Sequence, residues 1–181
     1  MPKYQGDEIL DWVDQEDNVI GQASRKEIHK KSLLHRSVHI LVFNSQDELF
    51  LQKRVMTKDE NPGLWDSSAA GHMASGETYL ASAHRELKEE LGIGAKLEPF
   101  SRLTACAETL WEHVTAYRCV SDEAVTVDAE EISEGRFWRI SEIEEALAAR
   151  PWQFTSVFRI LIRDYLPGSS QKSAVAGNSR P

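Results

Sequence analysis

Short blocks of apolar residues precede any longer period in this chain. "EILDWVDQEDNVIGQASR" reads as two short strands joined by the polar turn "QEDN", a hairpin at about residues 8–23. Residues 24–31 fit a short helix. "SVHILVFN" and "ELFLQKR" are strands separated by "SQD", so residues 37–54 are predicted to form a hairpin. The loop "VMTKDENPGLWDSSAAGH" follows, punctuated by Pro62 and Gly63. A helical period then takes over. Leu80, Ala83, Leu87 and Leu91 form one narrow apolar stripe, and Gly92 stands where a helix would stop, so a helix is predicted from about Thr78 to Leu91. "EHVTAYRCV" and "EGRFWRI" are further strands. A helix pair closes the pattern: "SEIEEALAAR", with Ser141 as candidate N-cap, then "WQFTSVFRILIRDYL". Strands mixed with helices in this way predict an α/β layered domain. No repeat or linker divides residues 1–166, and the small, polar, aperiodic tail 167–181 reads as a poorly ordered end.

The helix at 78–91 carries an anomaly. Glu86, Glu89 and Glu90 lie within roughly 100° of one another on the helical wheel, where like charges repel. Lys88 points to the other side. A face built for solubility would mix signs; this one concentrates negative charge, so a cation is expected to complete it.

Composition narrows the partners. The 181 residues suffice for one domain, and 41% hydrophobic with 28% charged residues is an ordinary globular balance. A net charge of -8 argues against nucleic-acid phosphates as the main partner, although metal ions could mediate contact with a polyphosphate. Two cysteines cannot make a disulfide framework. "MPKYQGDEILDW" has no signal-peptide core, and no apolar run approaches a membrane span, so a cytoplasmic protein with no membrane partner is expected.

The spacing of the acidic segment is specific. In "GHMASGETYLASAHRELKEELGI", Gly71 is followed at fixed intervals by Glu77, Arg85-Glu86-Leu87, Glu89-Glu90 and Gly92-Ile93. This segment resembles the Nudix box, with every defining position filled. The resemblance implies an α/β/α sandwich of mixed sheet with flanking helices, in which the box forms a loop, a helix and a second loop. It also implies metal-assisted cleavage of a pyrophosphate bond in a small diphosphate substrate. Glu86, Glu89, Glu90 and the Gly71 carbonyl would hold Mg²⁺ or Mn²⁺. Arg85 and Glu77 would pair structurally. A general base, or an added metal ligand, would come from outside the box, with Glu112 the first candidate and Glu108 the second.

A narrower resemblance lies in "LLHRSVHILVFN", "LQKRVMTKDENPGLWDSSAAGHMASGE" and "LWEHVTAY". These stretches are similar to the Nudix branch that contains type I isopentenyl-diphosphate isomerases. His35, His72 and Glu112 match metal-ligand positions there, and His29 matches approximately. The isomerase's proton-transferring cysteine and second glutamate align with Ala70 and Val114, which cannot transfer protons. The expectation is therefore a hydrolase on an isomerase-like scaffold, with an isomerase or a non-catalytic binding module as alternatives. His39 and His84 have no special claim, and His29 and His113 fit hydrogen bonding or packing better than metal binding. Lys53, Arg54 and Lys58 flank the expected cleft and could meet substrate phosphates. Trp65 fits packing in the loop, and Trp12, Trp138 and Trp152 fit core positions. The N-terminal hairpin could offer a sheet edge to a second copy in a homodimer.

Overall fold

A computed structural model describes residues 8–166; the tail from Pro167 lies outside the described residues. In chain order the elements are β1 (Ile9–Val13), β2 (Val19–Ser24), α1 (Arg25–Lys31), β3 (His35–Phe43), β4 (Leu49–Arg54), β5 (Trp65–Asp66), β6 (Ala69–His72), α2 (Tyr79–Leu91), β7 (Glu98–Leu103), β8 (Glu112–Val120), β9 (Ile132–Trp138), α3 (Ile140–Ala149) and α4 (Ser156–Tyr165).

Strand β3 organises the sheet. Along its whole length it runs parallel to β8, from His35 opposite Glu112 to Phe43 opposite Val120. The predicted 37–54 hairpin exists only at its turn. Phe43 pairs with Leu49, and β4 then departs to pair with β9 and β5. β6 occupies the edge of β3 that β4 leaves, antiparallel from Ser37–His72 to Ile40–Ala69. β5 and β6 lie inside the segment expected as loop, because strands of two and four residues carry no readable period. β7 closes the far side against β8.

Side chains of β3 alternate between two cores. Val38, Ile40 and Val42 pack with Ala83, Leu87 and Leu91 of α2. Leu41 and Phe43, with Leu49 and Leu51 of β4, pack against Ile143 of α3 and Phe158 and Ile162 of α4. The sheet thus lies between helices, an α/β/α sandwich, and a strand covered on both faces reads as a continuous apolar run. Each buried Leu, Ile or Phe contributes roughly 1.5–3 kcal/mol. This packing, more than helix propensity, holds helices of this length.

Local signals set the helix ends. Ser24 caps α1 by accepting from Glu27 N, and Thr78 caps α2 by accepting from Ala81 N. Gly92 ends α2 at φ 73°, a left-handed conformation that favours glycine. Four expectations need correction. α3 starts two residues earlier than expected, with Arg139 and not Ser141 at the cap; the Glu142 carboxylate accepts from Arg139 N, so Ser141 lies inside the first turn. Leu80 is 46% exposed, and the buried face of α2 is Ser82, Ala83, Glu86, Leu87, Glu90 and Leu91. The last helix is split: a 3-10 turn at Pro151–Gln153 precedes α4, which Thr155 caps. Trp152 in that turn is exposed, and Trp12 is at the border of exposure, so neither belongs to the core, whereas Trp138 does.

β1 and β2 form a separate two-stranded sheet, tied to the box loop by a bridge between Leu10 and Ala74. This sheet exposes Ile9, Val19 and Ile20. Among the described residues, no helix is long and apolar enough to cross a membrane.

Candidate active site

Helix α2 turns its acids inward. Glu86 and Glu90 are one turn apart on its buried face, and Glu89 sits at the rim. β6 lies beneath them. Ala70 N donates to Glu90 Oε2 at 3.0 Å, and Gln52 Nε2 from β4 donates to the same oxygen at 2.9 Å. Gly71 lies so close to Glu86 that an added Cβ would stand 2.3 Å from Oε1, so only glycine fits without moving the carboxylate. Burial, reinforced by the Glu86 charge, pushes the Glu90 carboxyl up to about 8.

The acids do have a basic partner. Arg85 Nη1 donates to Glu86 Oε1 and, at 3.3 Å, to Glu89 Oε2. The wheel set Lys88 aside correctly, since its ammonium bonds the Gly92 carbonyl. It did not account for the reach of an arginine on the neighbouring face. Arg85 also makes two 2.8 Å bonds to Glu77, whose second oxygen accepts from Ala74 N, and it donates to the His72 carbonyl at 3.0 Å. Loop and helix are thereby clamped together.

A second, histidine pole gathers around His72. The rings of His29, His35 and His72 stand 4.9–5.2 Å apart, centroid to centroid. His35 is buried, and its Nδ1–H donates to the Leu33 carbonyl at 2.9 Å, which leaves a lone pair on Nε2. That nitrogen has no hydrogen-bond partner, nor has Nε2 of His29. His29 Nδ1 meets Glu60 Oε1 at 2.9 Å. His72 Nε2 meets Glu112 Oε1 at 3.1 Å, while its Nδ1 accepts from Arg25 Nε at 3.3 Å. Burial would raise the Glu112 carboxyl, but its contacts with His35 and His72 hold it well below the usual carboxylate range. Burial lowers His72, whereas the nearby Glu112 outweighs burial at His35 and raises it.

The acidic pole lines a cavity of about 410 Å³, which the histidine pole reaches through His72, Glu60 and Glu112. Arg54 and Lys58 also line it, but both are engaged: Lys58 pairs with Glu131, and Arg54 Nε donates to the Glu60 carbonyl at 3.1 Å with Nη1 3.8 Å from Asp66 Oδ2. Lys53 instead faces Glu134 and lies over the Trp65 ring, which packs edge-on against Trp138. Glu108 is exposed outside the cavity. His113 is buried and bonds the Asp14 carbonyl at 3.0 Å, a structural position, and His84 is exposed. His39 lines the cavity and bonds Ser67 Oγ at 2.9 Å. Ala70 lines the cavity with a methyl, and Val114 is buried beside Val157 and Leu161. Sequence reasoning missed Glu60, Arg25 and Gln52. The "KDEN" acids gave no periodic signal, and the other two lie on elements read for packing alone.

An α/β/α sandwich whose loop–helix–loop gathers three glutamates over a glycine defines a Nudix-type domain. The NUDIX domain model matches residues 33–158, and the chain belongs to the Nudix family. It is 42% identical over 135 residues to an uncharacterized Nudix hydrolase of Pseudomonas aeruginosa, covering 73% of this chain and 79% of that one. It is 34% identical over 165 residues to the isopentenyl-diphosphate Delta-isomerase of Serratia proteamaculans, covering 87% and 91%. Among solved structures, DR0079 of Deinococcus radiodurans aligns with a TM-score of 0.76 at 26% identity, over 88% of this chain and all of that one.

Proposed function

We propose that the chain is a divalent-metal-dependent pyrophosphohydrolase acting on a nucleoside-diphosphate-linked or related small diphosphate. The observation that carries this reading is the convergence of Glu86, Glu89, Glu90 and Gly71 on a cavity that also presents Arg54 and Lys58. Carboxylate and carbonyl oxygens are hard donors, the set that Mg²⁺ or Mn²⁺ takes. The donors fit such an ion: Glu86 closes tightly on Gly71, and the buried Glu90, held by two neutral donors, is pushed up by burial and by the Glu86 charge that a cation would offset. When bound, a divalent ion would offset diphosphate charge and make a water more acidic.

The chain's own residues supply the rest. Arg54 and Lys58 bind and orient the phosphates, Lys58 by exchanging Glu131 for substrate oxygen. Arg85 and Glu77 keep the glutamates in register with the loop. Glu112 is a poor proton acceptor with its carboxyl held so low, so it serves with His35 and His72 as a second metal position better than as general base. An isomerase reading lacks proton carriers at Ala70 and Val114. A non-catalytic module would not need the complete carboxylate set.

The test is a panel of nucleotide sugars, dinucleotides, nucleoside triphosphates and non-nucleotide diphosphates. Release of phosphate or nucleoside monophosphate is measured with Mg²⁺, with Mn²⁺ and with chelator. Metal-dependent turnover of at least one member, lost in Glu89→Gln, is expected. No turnover of any member with either metal would refute the hydrolase reading.

A further inference from the structure

The loop at residues 55–64 reaches into the histidine pole through one side chain. Glu60 is half-buried, with 26% of its side chain exposed, and its Oε1 lies 2.9 Å from His29 Nδ1. Donor atoms of Glu60, His72 and Glu112 all fall within 4.8 Å of one another, as do those of His29, His35 and His72. The two triads share His72, so five side chains cluster around its ring. A pole made only for hydrogen bonding would not leave two buried imidazole nitrogens unpartnered. His35 is 2% exposed, and its bond to the Leu33 carbonyl presents the Nε2 lone pair, the arrangement an imidazole needs as a ligand.

We propose that Glu60 is a loop-borne ligand of a second metal centre completed by His29, His35, His72 and Glu112, through which the metal pins residues 55–64 over the cavity. This rests on the reading of His35 and His72 as a metal position. Three imidazoles and two carboxylates form a nitrogen-rich set, which selects a transition ion over Mg²⁺. The two poles therefore take different metals. The pin also reaches the substrate side. Arg54 bonds the backbone carbonyl of Glu60, and Lys58 stands two residues before it, so fixing Glu60 fixes both candidate phosphate binders.

The test uses the full chain with excess Mg²⁺ to occupy the acidic pole, titrated with Co²⁺ and followed by visible absorption. Wild type should develop a stoichiometric band, and trypsin cleavage after Lys58 should slow as it fills. His35→Asn should lose the band. Glu60→Gln should keep a band of altered shape, bind Co²⁺ at least about tenfold more weakly, since even partners beyond the ligand shell cost that much, and gain no protection at Lys58. Glu60→Asp, which keeps the carboxylate, separates loss of a ligand from loss of folding and should restore part of the affinity. If wild type binds no Co²⁺, the histidine reading and this proposal fall together. If Glu60→Gln matches wild type in affinity, spectrum and protection while His35→Asn does not bind, the centre stands and the role of Glu60 is wrong.

Discussion

Removing one charge from the acidic pole should make the metal-free protein more stable. Glu90 is 3% exposed, and burial beside Glu86 pushes its carboxyl up to about 8 from an ordinary 4.5. Between those values the folded chain keeps a proton that the unfolded chain has released, so stability falls as pH rises from about 4.5 to about 8. At pH 7 the difference is roughly 2.5 units at about 1.4 kcal/mol each, or about 3 kcal/mol. Glu90→Gln removes that cost. A glutamine oxygen can still accept from Ala70 N and Gln52 Nε2. For a domain of this size the gain corresponds to a Tm higher by roughly 6–12 °C at pH 7, shrinking to a few degrees at pH 5. The assay is thermal denaturation in chelator at pH 5, 7 and 8, with urea titration as a second measure. Saturating Mg²⁺ should reverse the order at pH 7, because metal stabilises only the chain that binds it. A Glu90→Gln protein no more stable than wild type at pH 7 and 8 without metal would refute the argument.

Three other perturbations separate the remaining roles. Arg85→Ala should cost about 2–3 kcal/mol, from the loss of several charge-assisted bonds, read as a lower urea midpoint. Arg85 holds Glu77 below its ordinary value, so that part of wild-type stability is present above about pH 4.5 and lost on further acidification; the variant should show a shallower acid limb. Gly71→Ala should displace the Glu86 carboxylate and weaken Mg²⁺ binding by calorimetry while changing Tm little, because the atom it meets is the end of a flexible side chain. Deuterium incorporation from heavy water into isopentenyl diphosphate should be negligible beside a true isomerase, since two acid–base groups worth about 10²–10⁴-fold each are missing; a comparable rate would overturn the alignment at Ala70 and Val114.

The sequence was most readable where chemistry and period coincide. Helix α2 has a capping Thr78, an apolar stripe and a stop at Gly92, and the same segment carries the carboxylates. His35 and His72 were paired through resemblance, and their rings do meet. Other features were hidden for definable reasons. β5 and β6 are too short to alternate; β6 is a strand because β4 leaves an edge of β3 open, and β5 because it pairs with β4. Leu80 has the right period but is exposed, and in that first turn it is Tyr79 that packs against the core. Arg85 neutralises its neighbours through a long side chain that a helical wheel reduces to a point. Glu60 lies in an aperiodic loop, and its neighbours come from α1, β6 and β8, so no linear pattern announces it.

The parallel pairing of β3 with β8 has a kinetic consequence. His35 and Glu112 face each other at the first rung of a ladder whose strands are joined by a long excursion through β4, α2 and β7. Such non-local pairings demand loop closure before they gain contact energy, and they slow folding. The acidic pole draws most of its parts from one continuous stretch and can form early. The histidine pole needs the ladder closed. A Co²⁺ chromophore appearing during refolding would therefore time the arrival of β8 beside β3, while helix signals report the earlier events, making this chain a clock for its own slowest topological step.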